Sequence, residues 1–164
     1  SVSETPGSPD TTFSSSAGFN GPVYALALQQ DNKLVAAGDF TQANGVPRFR
    51  IARQNSDGSL DPLFSYPSSA YGANGAVRAL LIQTDGRIVV GGFFTNFNSV
   101  TYARIARLNT DGSLDSVFNP GSGADNSVYA LGETFISGLR KVVVGGAFAT
   151  LNGAAFSEIG RAHV

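Results

Sequence analysis

The chain contains no cysteine, methionine or tryptophan, and only one histidine. Without thiols there are no disulfides and no thiolate metal sites, so cysteine usage says nothing about the redox state of its compartment. Catalytic groups are scarce as well. No cysteine can serve as nucleophile, His163 has no second histidine with which to build a metal triad, and Glu4, Glu133 and Glu158 fall in unrelated contexts. Paired aspartates can in principle work a glycosidic bond, but most of the aspartates here sit in turns that recur, and recurrence serves folding rather than one active site. The expectation is a protein that is not an enzyme. Charge is sparse: 14% of residues are charged and the formal net charge is −1. With no basic excess to neutralise phosphates or anionic lipid, nucleic acid is not an expected partner. No stretch approaches the roughly 18 apolar residues of a helical span, so membrane insertion is not expected either.

What the chain does have is repetition. Residues 23–64 recur at 77–118 without a gap, and a third, altered copy runs from 128 to 164. Val23-Tyr-Ala-Leu-Ala-Leu-Gln29 lies over Val77-Arg-Ala-Leu-Leu-Ile-Gln83, and Ile51-Ala-Arg-Gln-Asn-Ser-Asp-Gly-Ser-Leu-Asp61 over Ile105-Ala-Arg-Leu-Asn-Thr-Asp-Gly-Ser-Leu-Asp115. A fixed period of about 50 residues signals a repeat architecture. The third copy stops short of the Ser-Leu-Asp-x-x-Phe tail, and Ser8-Pro-Asp-Thr-Thr-Phe13 carries that piece at the other end. The two ends are therefore expected to pair and finish an interrupted sheet, which removes an exposed edge. Residues 1–9 read as a flexible Ser/Pro/Gly-rich tail. Residues 10–164 read as one three-repeat β domain, its units being 23–64, 77–118 and 128–164 plus 8–13. About 160 residues suffice to bury about 70% of the unfolded chain's surface.

Twenty glycines and the lack of apolar residues at helical spacing predict an all-β fold. Each copy offers a Val-x-Ala-Leu strand, a polar turn, and a second strand: Lys33-Leu-Val-Ala-Ala-Gly38, Arg87-Ile-Val-Val-Gly-Gly92 or Lys141-Val-Val-Val-Gly-Gly146. The turn in the third copy, 136–140, looks looser than the others. A loop with Asn44-Gly45, Asn98-Ser99 or Asn152-Gly153 precedes a third strand at Ile51, Ile105 or Ile159. A short Leu-Asp-x-x-Phe strand completes a four-stranded unit. The second strand is apolar on both faces and should be covered on both, as in stacked propeller-type blades. Gly38, Gly92 and Gly146 would let backbones approach closely or a strand bulge. Phe40, Phe94, Phe148, Phe13, Phe64 and Phe118 would fill the space between blades, each large ring burying about 150–250 Å². The competing fold is a β-trefoil, whose barrel strands should instead alternate.

These segments resemble the delta-60 repeat, a propeller-type repeat of bacterial surface and secreted proteins. The resemblance rests on Val77-Arg-Ala-Leu-Leu-Ile-Gln83, Asp85-Gly-Arg-Ile-Val-Val-Gly-Gly-Phe-Phe-Thr95 and Arg104-Ile-Ala-Arg-Leu-Asn-Thr-Asp-Gly-Ser-Leu-Asp-Ser-Val-Phe118, and it covers residues 8–164. It implies a β-propeller, usually without catalysis, in a protein built from many such units. Three units are few against the usual four to eight blades. Either the chain closes a small ring, or two chains join into six blades, or strands pair between subunits.

Candidate site residues follow from recurrence. Asn55-Ser-Asp57-Gly-Ser-Leu-Asp61 and its copy Asn109–Asp115 echo the oxygen-rich spacing of calcium loops, but lack the bidentate glutamate, and Asp-Gly is also a strong hairpin signal. The turn reading is preferred, with no cofactor expected and calcium as the alternative. Arg53, Arg107 and Arg161 recur at one position and Asp61, Asp115 and Asp10 at another. A guanidinium can hold a carboxylate with two bonds, so an Arg–Asp latch is expected in each unit, Arg161 reaching Asp10. Arg50 and Arg104 recur too, with Glu158 in the third copy. Residues 65–76, 119–127 and 135–140 vary and would form loops, where Tyr66, Tyr71 and Tyr102 supply aromatic contact for a ligand. The preferred expectation is a structural, self-associating protein of a cell or virion surface. The alternative is an extracellular adhesion or binding module that recognises protein or glycan.

Overall fold

A computed structural model describes residues 18–64, 71–155 and 159–163. The tail at 1–9, the segment 8–13 with Asp10 and Phe13, Tyr66 and Glu158 lie outside the described residues. Among those described, fifteen strands and no helix form. The first repeat holds β1 (Val23–Leu28), β2 (Leu34–Gly38), β3 (Gln42–Ala43), β4 (Val46–Pro47) and β5 (Ile51–Gln54). The second holds β6 (Val77–Ile82), β7 (Ile88–Gly92), β8 (Asn96–Phe97), β9 (Val100–Thr101) and β10 (Ile105–Leu108). The third holds β11 (Val128–Ile136), β12 (Leu139–Gly146), β13 (Thr150–Leu151), β14 (Ala154–Ala155) and β15 (Ile159–His163). In every repeat the apolar second strand sits in the middle of an antiparallel sheet: β1-β2-β5, β6-β7-β10 and β11-β12-β15.

Among the described residues these sheets have three strands, where the sequence predicts four. After each Asp-Gly turn the chain makes a single bridge, Gln54 with Leu60 and Leu108 with Leu114, and then turns away. The cause is local. Asp61 Oδ1 accepts from the Leu63 N–H at 2.9 Å and Asp115 Oδ1 from the Val117 N–H at 3.0 Å. An aspartate bonded two residues ahead closes an Asx turn, which competes with the strand ladder. The expected loop before the third strand is instead a miniature hairpin in each repeat. Its turn residues take positive φ, 50° and 77° at Asn44-Gly45, 50° and 63° at Asn98-Ser99, 52° and 73° at Asn152-Gly153, as a two-residue hairpin loop demands. A side chain from the preceding segment holds it: Asn20 accepts from the N–H groups of Thr41 and Gln42, Asn74 from Thr95 and Asn96, Asp125 from Ala149 and Thr150. The turn at 136–140 is tighter than expected, because β11 and β12 run on to a two-residue loop with φ 51° at Ser137 and 79° at Gly138.

The sheets remain separate, without the barrel of a trefoil, and pack face to face in chain order. One side of the second sheet, with Val77, Leu80, Ile88, Val90 and Phe94, meets Val35, Ala37, Ile51 and Phe64 of the first. The matching side of the third, with Val128, Leu131, Val142, Val144 and Phe148, meets Leu81, Val89, Ile105 and Phe118 of the second. Each sheet thus has a leading face, turned toward the repeat before it, and a trailing face, turned toward the repeat after it. The leading face of the first sheet has no such neighbour among the described residues. Leu26 and Leu28 there are 60% and 62% exposed, while their counterparts Leu80 and Ile82 pack into the core. Phe40, Phe64, Phe94, Phe118 and Phe148 are all buried.

Each first strand carries a bulge, between Val23 and Ala25, Val77 and Ala79, and Val128 and Ala130. A side chain on Gly38, Gly92 or Gly146 would overlap the carbonyl oxygen of Pro22, Ala76 or Ser127. Glycine at that position is what lets the strands cross closely enough to bulge.

Candidate functional site

The recurring arginines and aspartates meet at one end of the sheets. Arg53, on β5, donates from Nε to Asp61 Oδ2 at 3.0 Å, and Arg107, on β10, donates from Nε to Asp115 Oδ2 at 2.8 Å. Strand alternation aims each arginine at the turn that follows its own strand, and the Asx turn leaves the other carboxylate oxygen free to accept. All four groups are buried, the arginines 7% exposed and Asp61 and Asp115 2% and 4%. Each guanidinium also lies over a core ring, Arg53 over Phe64 and Arg107 over Phe118. The two latches differ in their further partners. Arg53 donates to Gln29 Oε1 at 3.0 Å and, across the repeat boundary, to the Thr110 carbonyl at 2.7 Å, while Lys33 Nζ lies 2.8 Å from Asp61. Among the described residues, Arg107 has a further, long bond to Gln83 Oε1 at 3.4 Å, and Arg87 approaches Asp115 at 3.6 Å. Burial would raise the Asp61 carboxyl, but Lys33, the Leu63 N–H and Arg53 outweigh it and hold the group below the ordinary aspartate range. At Asp115 the same opposition, burial against the Val117 N–H and Arg107, also ends below that range. Arg161 lies on β15, paired opposite Val143; Asp10 is outside the described residues.

A second constellation was hidden in the sequence. The bulged residue of each first strand is Tyr24, Arg78 or Tyr129, and the first strands of successive repeats lie side by side. A bulge re-aims the side chain it carries. Arg78 Cζ stands 3.8 Å from the Tyr24 ring centroid and 5.0 Å from that of Phe93, and Phe93 meets Tyr129 edge-on at 5.7 Å. The row crosses all three repeats, and its three rings are exposed. Arg78 Nε is buried without a hydrogen-bond partner. A variable position inside an otherwise regular Val-x-Ala-Leu motif was the available signal, but simple alternation would have placed it opposite its true direction.

The remaining candidates are placed as follows. In the calcium-like segment Asp57 Oδ1 accepts from Ser59 N at 2.9 Å and Ser59 Oγ at 2.6 Å, and these bonds hold its carboxyl below the usual range. Asp111 does the same with Ser113. Asp57 and Asp61 therefore belong to different networks, one closing the turn and the other the latch. Tyr71 is half-buried. Tyr102 packs against two core clusters and its hydroxyl donates to the Phe118 carbonyl at 3.3 Å. Arg50 and Arg104 share an unusual backbone, φ 66° and 69°, just ahead of β5 and β10. Arg50 reaches Asp39 at 3.4 Å and the Ala73 carbonyl of the next repeat at 3.4 Å, beside a cleft of about 480 Å³ lined by Phe49, Gly72 and Asn96. Of residues 119–127, Ala124 joins the core and Asp125 holds the miniature hairpin.

Residues 29–64 and 83–118 match the family described as domain of unknown function (DUF5122) beta-propeller. No curated protein and no solved structure matches the chain. The matched segments begin at the hairpin after the first strand and end at the phenylalanine that fills the boundary with the next sheet, one in each of the first two repeats. Two of the three repeats of this all-β chain therefore match a propeller-type family.

Proposed function

We propose that this chain is a non-catalytic assembly subunit, a delta-60-type propeller unit that acts at a cell or virion surface by joining to other protein. The carrying observation is the leading face of the first sheet. Val77 and Val128 are fully buried at the two internal boundaries, whereas their counterpart Val23 is 36% exposed beside Leu26 and Leu28. Contiguous apolar surface of this kind marks an interaction site, and this surface has the same pattern as two faces that are covered within the chain. The repeated latches support a structural role, since each ties a sheet to its own turn and recurs where a single active site would not. Light scattering at micromolar concentration tests the proposal. A mass above that of one chain is expected, and a well-folded monomer throughout the range would count against assembly.

A second reading, an extracellular module that binds protein or glycan, is favoured by the row of Tyr24, Arg78, Phe93 and Tyr129. Exposed rings offer stacking faces, with the Arg78 guanidinium packed between Tyr24 and Phe93. Comparing wild-type protein and Arg78→Met on a glycan array tests it. Signals lost in the variant support recognition by the row, and an array on which wild type and variant give the same pattern excludes it.

A further inference from the structure

We infer that a second copy of this chain docks head to tail, seating its Val23 in the hollow over Gly145 on the trailing face of the third sheet. The inference rests on the assembly reading above and names its partner and its contact.

The contact is already made twice inside the chain. At the boundary between second and third repeats, Val128 sits so close over Gly91 that a Cβ there would lie 3.1 Å from Val128 Cβ and overlap its Cγ1. At the boundary between first and second, Val77 shares a core with Ala37, the residue equivalent to Gly91. The first residue of each first strand is therefore a knob, and the next-to-last residue of the preceding second strand is its socket. The third copy of the knob is Val23, 36% exposed where the other two are fully buried. The third copy of the socket is Gly145, where an added Cβ meets Ala130 in ordinary contact, its Cβ at 3.6 Å and its carbonyl oxygen at 4.0 Å. Tyr129, Ala130, Gly145, Gly146, Ala147 and Phe148 enclose an open hollow of about 610 Å³ there. Knob and socket lie on opposite ends of one stack of sheets, and among the described residues neither is filled within the chain.

A contact between different faces of identical subunits is heterologous, and it gives a ring when the rotation closes. Two chains supply six sheets, within the usual range of about four to eight for rings of this kind. The partner is thus the same chain, joined by two equivalent contacts.

Gly145 makes the test clean, because its φ is not in the left-handed region and its side-chain position is open. Sedimentation velocity on the 164-residue chain compares wild type with Gly145→Val and Val23→Asp, with circular dichroism as the check on folding. Wild type is expected at twice the mass of one chain and each variant at the mass of one. Mixing the two variants leaves one intact knob and one intact socket, so a species of two chains should reappear in the mixture alone. Should Val23→Asp fail to fold, Leu26→Asp alters the same exposed face. Wild-type dimers that persist in both variants would overturn the Val23–Gly145 contact while leaving assembly standing. A wild-type monomer would overturn both.

Discussion

Removing the carboxylate from each latch separately should cost more in the second repeat than in the first. Asp115→Asn keeps the acceptor for the Val117 N–H but takes the charge from Arg107, which among the described residues is then left with one long hydrogen bond, to Gln83 at 3.4 Å. Breaking a buried pair by removing one partner costs about 3–5 kcal/mol, because the other charge stays buried and uncompensated. Asp61→Asn leaves Arg53 with the Thr110 carbonyl at 2.7 Å and Gln29 at 3.0 Å. Hydrogen bonds to a charged group contribute about 1.5–3 kcal/mol each, so the loss here should be smaller, and the gap between the two variants about 1–2 kcal/mol. With a urea m-value of about 2 kcal/mol/M, that gap separates the midpoints by about 0.5–1 M. Urea unfolding followed by circular dichroism at constant protein concentration and neutral pH reads it directly. Equal midpoints, or a lower midpoint for Asp61→Asn, would refute the claim that the inter-repeat carbonyl compensates Arg53.

Other outcomes follow from the same geometry. Asp61 and Asp115 titrate below their unfolded range, so the unfolded chain takes up protons first as pH falls; stability should hold above about pH 4 and decline below it. A urea series from pH 6 to 3 should show that decline flattened in the Asp61→Asn/Asp115→Asn double variant; an unchanged slope would assign the acid sensitivity elsewhere. Gly92→Ala should destabilise by about 2–4 kcal/mol through overlap with the Ala76 carbonyl, whereas Gly132→Ala, which meets open space, should stay within about 0.5 kcal/mol. Thermal melts of the pair check this, and similar losses in both would contradict the close strand crossing. Ser99 occupies a left-handed turn position, φ 63°, where the other repeats have glycine. Ser99→Gly should therefore raise stability by about 0.5–1 kcal/mol, measured by the same melts, and a drop would mean that the hairpin turn is not strained.

Much of the architecture was legible because repetition multiplies weak signals. One Val-Val-Gly-Gly segment is ambiguous, but three aligned copies, each followed at a fixed distance by a phenylalanine, mark a central strand and its packing ring. Arg53 and Asp61 were legible as partners for the same reason, their spacing being kept at Arg107 and Asp115. The fourth strand was misjudged at Asp61 and Asp115, where a side chain bonding two residues ahead replaces the ladder, a choice that apolar alternation does not encode. The bulge at Tyr24, Arg78 and Tyr129 was hidden because it depends on contact between Gly38, Gly92 or Gly146 and a carbonyl distant in sequence. The third hairpin looked loose because Ser137 is not a usual left-handed residue, yet the longer β11 and β12 impose that turn. The exposure of Val23 against the burial of Val77 and Val128 has no sequence signature, since all three are the same residue in the same motif.

The most direct measurement is a disulfide cross-link between copies, which the absence of native cysteine makes unambiguous. One chain carries Val23→Cys, the other Gly145→Cys, and the two are mixed and oxidised at micromolar concentration. At the equivalent internal boundary the Cβ positions of Gly91 and Val128 lie 3.1 Å apart, close to the roughly 3.5–4.5 Å spacing of a disulfide. Head-to-tail docking predicts a covalent two-chain product in the mixture that neither chain forms alone. A mixture that remains uncrosslinked, or chains that link equally well without their partner, would contradict it.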